Sequence, residues 1–219
     1  VPPRLELADG PVRLMVRPRF ITLEGGEGSG KSTQARRLAE RLQAAGHEVV
    51  LTREPGGTPG AEAIRNLLVT GDPDRWTPWS DALLMTAARV DHVARVIRPA
   101  LARGAVVVCD RYIDSTRAYQ GAGKGLPDEA LVALHNQACG GLWPDLTLVM
   151  LLDEATGLAR AAARGAGEAR FEALGAAFHG RVQAFFAGLP AAEPARCVAV
   201  DAGRGIDAIA ADIAARVGL

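Results

Sequence analysis

Gly25-Gly26-Glu27-Gly28-Ser29-Gly30-Lys31-Ser32 reads G-x-x-x-x-G-K-S, and Thr33 follows it. A loop of this composition cradles phosphate, and each residue type has a physical reason. Gly25 and Gly30 permit backbone turns that a Cβ obstructs. The N–H groups of the loop and of the helix that opens behind it face an anion. Lys31 presents a compact ammonium to the β- and γ-phosphates, and the Ser32 hydroxyl suits Mg²⁺. Of 25 basic residues only Lys31 and Lys124 are lysine. Arginine is the default cation of this chain, yet the tight loop holds the point charge that a planar guanidinium does not replace.

Working outward, strand-like Phe20-Ile21-Thr22-Leu23-Glu24 precedes the loop, and helical spacing follows it to Ala45. Further strands are expected at 47–52, 105–109, 146–152 and 196–200. The third and fourth are unbroken apolar runs, as in strands covered on both faces. Helices are expected at 31–45, 59–70, 80–103, 127–138, 154–163, 170–187 and 205–217, with Pro99 bending the third near Arg95. This alternation predicts an α/β fold, a doubly wound five-stranded parallel sheet flanked by helices. Ligands then gather at the carboxyl ends of the strands.

Composition narrows the classes. A chain of 219 residues suits one domain with a sizeable core. Its formal net charge of zero argues against a general nucleic-acid-binding surface. Cys109, Cys139 and Cys197 are odd in number and widely spaced, which reads as reduced thiols in a cytoplasmic protein. No apolar run approaches the roughly 18 residues of a membrane span. Residues 1–18 carry four prolines and several charges, too polar for a signal core. They are expected to form a flexible extension, with an edge strand at Val12–Val16 as the alternative, ahead of one domain over 19–219.

Charge collects at the strand ends. Asp110 closes the third strand, where it can hold a Mg²⁺ shell opposite Ser32; the alternative is an ordinary pair with Arg111. Arg53 and Arg111 end two separate strands and can clamp the phosphate of a second, acceptor nucleotide, unless they simply lie solvated. Arg89 has small and apolar neighbours, which suits a base carbonyl edge, although an ion pair with Asp91 or Asp81 fits the pattern as well. Arg160, Arg164 and Arg170 surround a glycine-rich break over 160–172, as in a short lid that brings positive charge onto a transferring phosphoryl group. No N-K-x-D element is present, which disfavours a guanine-specific switch, and no separate G-x-G-x-x-G opens a dinucleotide unit.

Taken together, these residues resemble the thymidylate kinases of bacterial type, P-loop nucleoside monophosphate kinases, over about 19–217. The likeness rests on Phe20–Thr33, T-R-E-P-G-G-T at Thr52–Thr58, Ala87-Ala88-Arg89, Asp110-Arg111-Tyr112 with Ser115, Ala118-Tyr119-Gln120-Gly121, Pro144-Asp145-Leu146-Thr147-Leu148, and Arg170-Phe171-Glu172. The resemblance implies transfer of the ATP γ-phosphoryl group to dTMP with Mg²⁺. It places Lys31 and the loop from Gly25 to Thr33 on ATP, with Glu27 inside the loop facing the acceptor's 3′-hydroxyl. Arg53 and Arg111 then hold the acceptor phosphate, Arg89 reads thymine, and Ser115 and Gln120 lie by base or sugar. Tyr119 crowds the 2′ position, Ser32 and Asp110 attend Mg²⁺, and Arg160, Arg164 and Arg170 belong to the lid. The resemblance also implies a homodimer packed through long helices.

This chain departs from the resemblance at three places. Met85 stands where an aromatic ring commonly stacks on the base, so a thioether would press on it instead. Gly28 stands where some relatives carry a loop arginine, and Ala162 replaces a lid arginine. Another nucleoside monophosphate or deoxynucleoside kinase is the alternative enzyme, and an ATP-dependent switch ATPase the alternative of another class.

Overall fold

The protein is described from a computed structural model that covers residues 18–153, 156–157, 159–160, 170 and 174–219. Five parallel strands form one sheet in the order β2-β3-β1-β4-β5: β1 (Phe20–Glu24), β2 (Val49–Arg53), β3 (Val106–Asp110), β4 (Leu146–Leu151) and β5 (Cys197–Asp201). Each lies within a few residues of its expected span. The helices are α1 (Lys31–Ala44), α2 (Pro59–Val69), α3 (Pro78–His92), α4 (Arg98–Ala102), α5 (Ile113–Thr116), α6 (Asp128–Cys139), α7 (Ala176–Ala192) and α8 (Ile206–Val217).

Alternation along each strand builds two cores. Ile21 and Leu23 of β1, Val106 and Val108 of β3, and Leu146, Leu148 and Met150 of β4 point to one face. There they meet Ala35, Leu38 and Leu42 of α1 and Ile209, Ile213 and Val217 of α8. Phe20, Val107 and Cys109 point to the other face, against Val93, Ile97 and Ala100. Val149 joins Phe178, Val182, Phe186 and Leu189 of α7 on that side. Both faces are therefore covered, which is why β3 and β4 are continuous apolar runs.

The register brings the functional ends level. Leu23 pairs with Asp110 on one side and with Leu148 on the other, and Arg53 pairs with Asp110. The chain leaves β1 toward β2 and leaves β3 toward β4, so the connections diverge above two adjacent strands and open a crevice there.

Three segments differ from the sequence reading, the first being the helix expected at 170–187, which runs Ala176–Ala192 behind Gly175. The long helix expected at 80–103 is divided: α3 passes into a π-helical turn at Val93–Ile97 before α4. Pro99 has no N–H for the carbonyl four residues back, at Arg95, and the wider turn absorbs that missing bond. After β3 the chain forms α5 and a second π-helical turn at Arg117–Gly123, where no helix was expected. Tyr112 caps α5 without a side-chain hydrogen bond, and glycines stand at 121 and 123, so the usual start and stop signals are missing. Residues 1–17 and most of 160–172, including Arg164 and Ala162, lie outside the described residues.

Leu148 is fully buried at the centre of the sheet. Leu148→Ala is expected to destabilise the fold by about 2–5 kcal/mol, read as a lowered midpoint in chemical denaturation; a loss under about 1 kcal/mol would contradict the described packing.

Candidate active site

The loop between β1 and α1 has the geometry its residues require. Gly25 takes φ 140, and a Cβ there would stand 2.4 Å from the Met150 carbonyl oxygen. Gly30, at φ 86, caps α1 in the left-handed region. Lys31 is buried, and its Nζ donates to the carbonyl oxygens of Gly25 (3.1 Å) and Gly26 (2.7 Å) and to Ser29 Oγ (3.2 Å). Burial, with the neighbouring Arg111 charge, pushes the Lys31 ammonium down to about 8. The ammonium is thus held inside the loop by weak neutral acceptors that an anionic phosphate would outcompete.

Ser32 donates to Asp110 Oδ2, while Asp110 Oδ1 is buried without a partner. Asp110 therefore does not take the ordinary pair with Arg111. Arg111 turns the other way: Nη2 donates to Glu27 Oε1 at 2.7 Å, and Nη1 to the Gly25 carbonyl and to Ser115 Oγ, both at 3.2 Å. Its φ of 69 is left-handed for a residue with a Cβ, a strained conformation that clusters at functional sites. Tyr119 Oη donates to the same Glu27 oxygen at 2.6 Å, and its ring lies under the Arg111 guanidinium. Burial resists ionisation of Glu27, but Arg111, Lys31 and the Tyr119 hydroxyl together draw its carboxyl down to about 2.

Beside this cluster lies a half-open cavity bordered by Met85, Arg89, Arg111, Ser115, Tyr119 and Gln120. Arg89, 2% exposed, is anchored by Nε to Glu54 Oε2 (2.7 Å) and by Nη2 to the Tyr112 carbonyl (3.2 Å) and Thr116 Oγ1 (2.9 Å). The ion pair with Asp91 or Asp81 does not form: Asp91 takes Arg95 and Thr58, and Asp81 takes Arg170 and Lys124. Arg89 Nη1 and Gln120 Nε2 are both buried donors without an acceptor. Ser115 borders the cavity but gives its hydroxyl to Glu24 Oε2 at 2.6 Å.

Arg53 and Arg111 come to different sides of the site. Arg53 is exposed, pairs with Glu62 at 3.0 Å, and borders an open groove with Ser32, Gly57 and Asp110. The lid reading divides as well. Arg160 is exposed and donates to the Ala202 carbonyl at 3.2 Å. Arg170 is only 1% exposed. Its guanidinium grips Asp81 at 2.9 Å and the carbonyl oxygens of Leu68, Asp72 and Pro73. A cation so enclosed ties position 170 to α2 and α3.

Two carboxylates had no role in the sequence reading. Glu24 accepts from the N–H groups of Tyr112 (2.7 Å) and Ser115 (3.2 Å), which shapes the turn carrying Arg111. Burial, reinforced by Asp114, pushes Glu24 up to about 7. Glu54 holds Arg89. A charged residue closing the wholly buried β1 was the available signal for Glu24; Glu54 had none beyond its neighbourhood in T-R-E-P.

A loop that captures phosphate, a carboxylate–hydroxyl pair beside it and a separate donor-lined cavity fit a kinase acting on two nucleotides. The sequence matches the thymidylate kinase family over residues 23–213. This chain belongs to the thymidylate kinase family. It is 59% identical to the thymidylate kinase of Caulobacter vibrioides over 91% of this chain and 95% of that one. With the Ruegeria pomeroyi thymidylate kinase it shares 53% identity over 89% and 92% of the two chains. The crystal structure of the Ehrlichia chaffeensis thymidylate kinase superimposes with a TM-score of 0.74 at 32% identity, covering 91% of this chain and 98% of that chain. The family's phosphotransferase chemistry, with ATP as donor, accounts for the loop and its lysine. Among the described residues no helix is long and apolar enough to cross a membrane.

Because Lys31 sits near 8 in the free protein, ATP phosphates raise it on binding and the complex takes up a proton above that pH. ATP affinity is expected to weaken above pH 8 by up to about tenfold per pH unit. Calorimetric titration in buffers of different ionisation enthalpy checks this; constant affinity from pH 7 to about 9.5 would contradict it.

Proposed function

We propose that the chain transfers the γ-phosphoryl group of ATP to dTMP, forming dTDP. The observation that carries this reading is the pair of buried, unpartnered donors, Arg89 Nη1 and Gln120 Nε2, on a cavity that adjoins the phosphate loop. They suit a base that offers carbonyl oxygens. Met85 borders the same cavity and can press on the ring, while Glu27 and Tyr119 meet the sugar. The acceptor phosphate is already anionic and needs no strong base. Its oxygen is positioned in line by Arg111 from the buried side and Arg53 from the open side, and Lys31 neutralises the donor phosphates.

Mg²⁺ belongs beside Ser32 and Asp110, and the buried free Oδ1 of Asp110 fits that role. Ser32 and Asp110 would hold the ion, which would supply neutralising charge to the donor phosphates. Arg160 and Arg164 would add positive charge from 160–172, the lid of a single catalytic domain over 19–219, with 1–18 outside it. A cytoplasmic setting agrees with the three buried free cysteines.

Homodimer formation fits α3. Trp79, Leu83 and Val90 are 43%, 54% and 37% exposed and share one stripe of that helix. Packing two such stripes would bury them. Leu83→Glu is expected to shift the protein to monomers in sedimentation at micromolar concentration; an unchanged dimer would place the interface elsewhere, and a wild-type monomer would reject it.

A coupled phosphotransfer assay with ATP, Mg²⁺ and each nucleoside monophosphate tests the main reading. dTMP is expected to be the preferred acceptor, and Lys31→Ala to lower turnover by roughly a thousandfold without lowering the melting temperature. Acceptor-independent hydrolysis, or a purine monophosphate as the best acceptor, would overturn the proposal.

A further inference from the structure

Arg89 is held by Glu54 in an unusual way. A carboxylate beside a guanidinium ordinarily takes two parallel N–H bonds, here Nε and Nη2. Glu54 takes Nε alone, through Oε2. Its Oε1 is occupied by His92 Nδ1 at 3.0 Å, and His92 Nε2 lies 2.7 Å from Thr52 Oγ1. A carboxylate only accepts, so the imidazole donates from Nδ1 to Glu54, and its Nε2 shares a hydrogen bond with the Thr52 hydroxyl. His92 is fully buried and Glu54 nearly so, which leaves no water to replace either bond. With Oε1 engaged, Nη2 stays on the Tyr112 carbonyl and Thr116, and the guanidinium plane is set from three directions. Nη1 is thereby left without a partner, on a side chain that borders the cavity.

We propose that His92, backed by Thr52, is a positioning residue for the acceptor site: it keeps Glu54 from closing a two-bonded fork on Arg89 and so keeps one guanidinium nitrogen available to the acceptor base. Without His92 the freed Oε1 captures Nη2, the bonds to Tyr112 and Thr116 are lost, and Nη1 swings off the cavity. The chain Thr52–His92–Glu54–Arg89 also joins the end of β2, which carries Arg53, to α3. The base end and the phosphate end of the acceptor site are therefore parts of one buried frame. This inference rests on the proposed dTMP reading for its kinetic test, but not for its structural one.

His92→Leu is expected to raise KM for dTMP at least tenfold, with kcat within about threefold of wild type and KM for ATP unchanged. His92→Asn, which can still donate to Glu54, is expected to recover most of that loss. Thr52→Val, a milder change that retains the imidazole, is expected to raise KM for dTMP two- to fivefold. Parallel rises in both KM values, an asparagine variant no better than leucine, or an unchanged KM for dTMP would overturn the assignment. Crystal structures give the independent readout: in His92→Leu, or in His92→Ala if the former does not fold, Arg89 should grip Glu54 through both Nε and Nη2. A guanidinium left in place would overturn the proposal whatever the kinetics. Failure of wild type to phosphorylate dTMP would instead strike the functional reading alone.

Discussion

Two cations share the end of β1. Lys31 and Arg111 both donate to the Gly25 carbonyl, close enough that the Arg111 charge helps push the lysine down to about 8. Like charges in a buried crevice hold together only where acceptors and carboxylates surround them. Glu27 and the carbonyls of Gly25 and Gly26 do so directly; Glu24 and Asp110 add negative charge around the lysine. The rest of the site can be read as the neutralisation of this pair before any nucleotide arrives. Because the offsetting groups are in place, the positive field is preorganised, and phosphate oxygens replace acceptors rather than create order from nothing.

The same economy governs the cavity beside Arg89. Each guanidinium nitrogen of Arg89 except Nη1 has an assigned acceptor, and the three acceptors come from three elements: the end of β2, the turn after β3, and α5. Burial makes those bonds costly to break and makes the one free donor costly to leave unmet. An arginine placed this way presents a fixed, directional donor that a solvated side chain on the same helix would not. Arg170 illustrates the opposite outcome. It is equally buried, yet Asp81 and three carbonyl oxygens engage its guanidinium, so it fastens segments together.

Much of this was legible in the residues. The phosphate loop announces itself because phosphate binding demands small residues and one ammonium at fixed spacing. The strands announce themselves because a sheet covered on both faces demands unbroken apolar runs, as at Val106–Cys109. The segment Ile113–Gly123 was not legible as helix, since its order comes from Glu24 gripping the N–H groups of Tyr112 and Ser115 and from packing against α7. Arg89 was ambiguous for a related reason. Its neighbours in sequence offered Asp91, four residues from Arg95 on the helix surface, but its partner Glu54 arrives from another strand end.

Local spacing and side-chain chemistry suffice for the α/β alternation, the phosphate loop and the set of charged residues at the strand ends. Tertiary structure alone decided which carboxylate meets which guanidinium. Glu24, Glu27 and Glu54 become partners of the Arg111 turn, Arg111 and Arg89 only when parallel register brings the ends of β1, β2 and β3 level. Burial then converts those meetings from solvated charges into fixed, directional bonds, and that is a property of the assembled crevice.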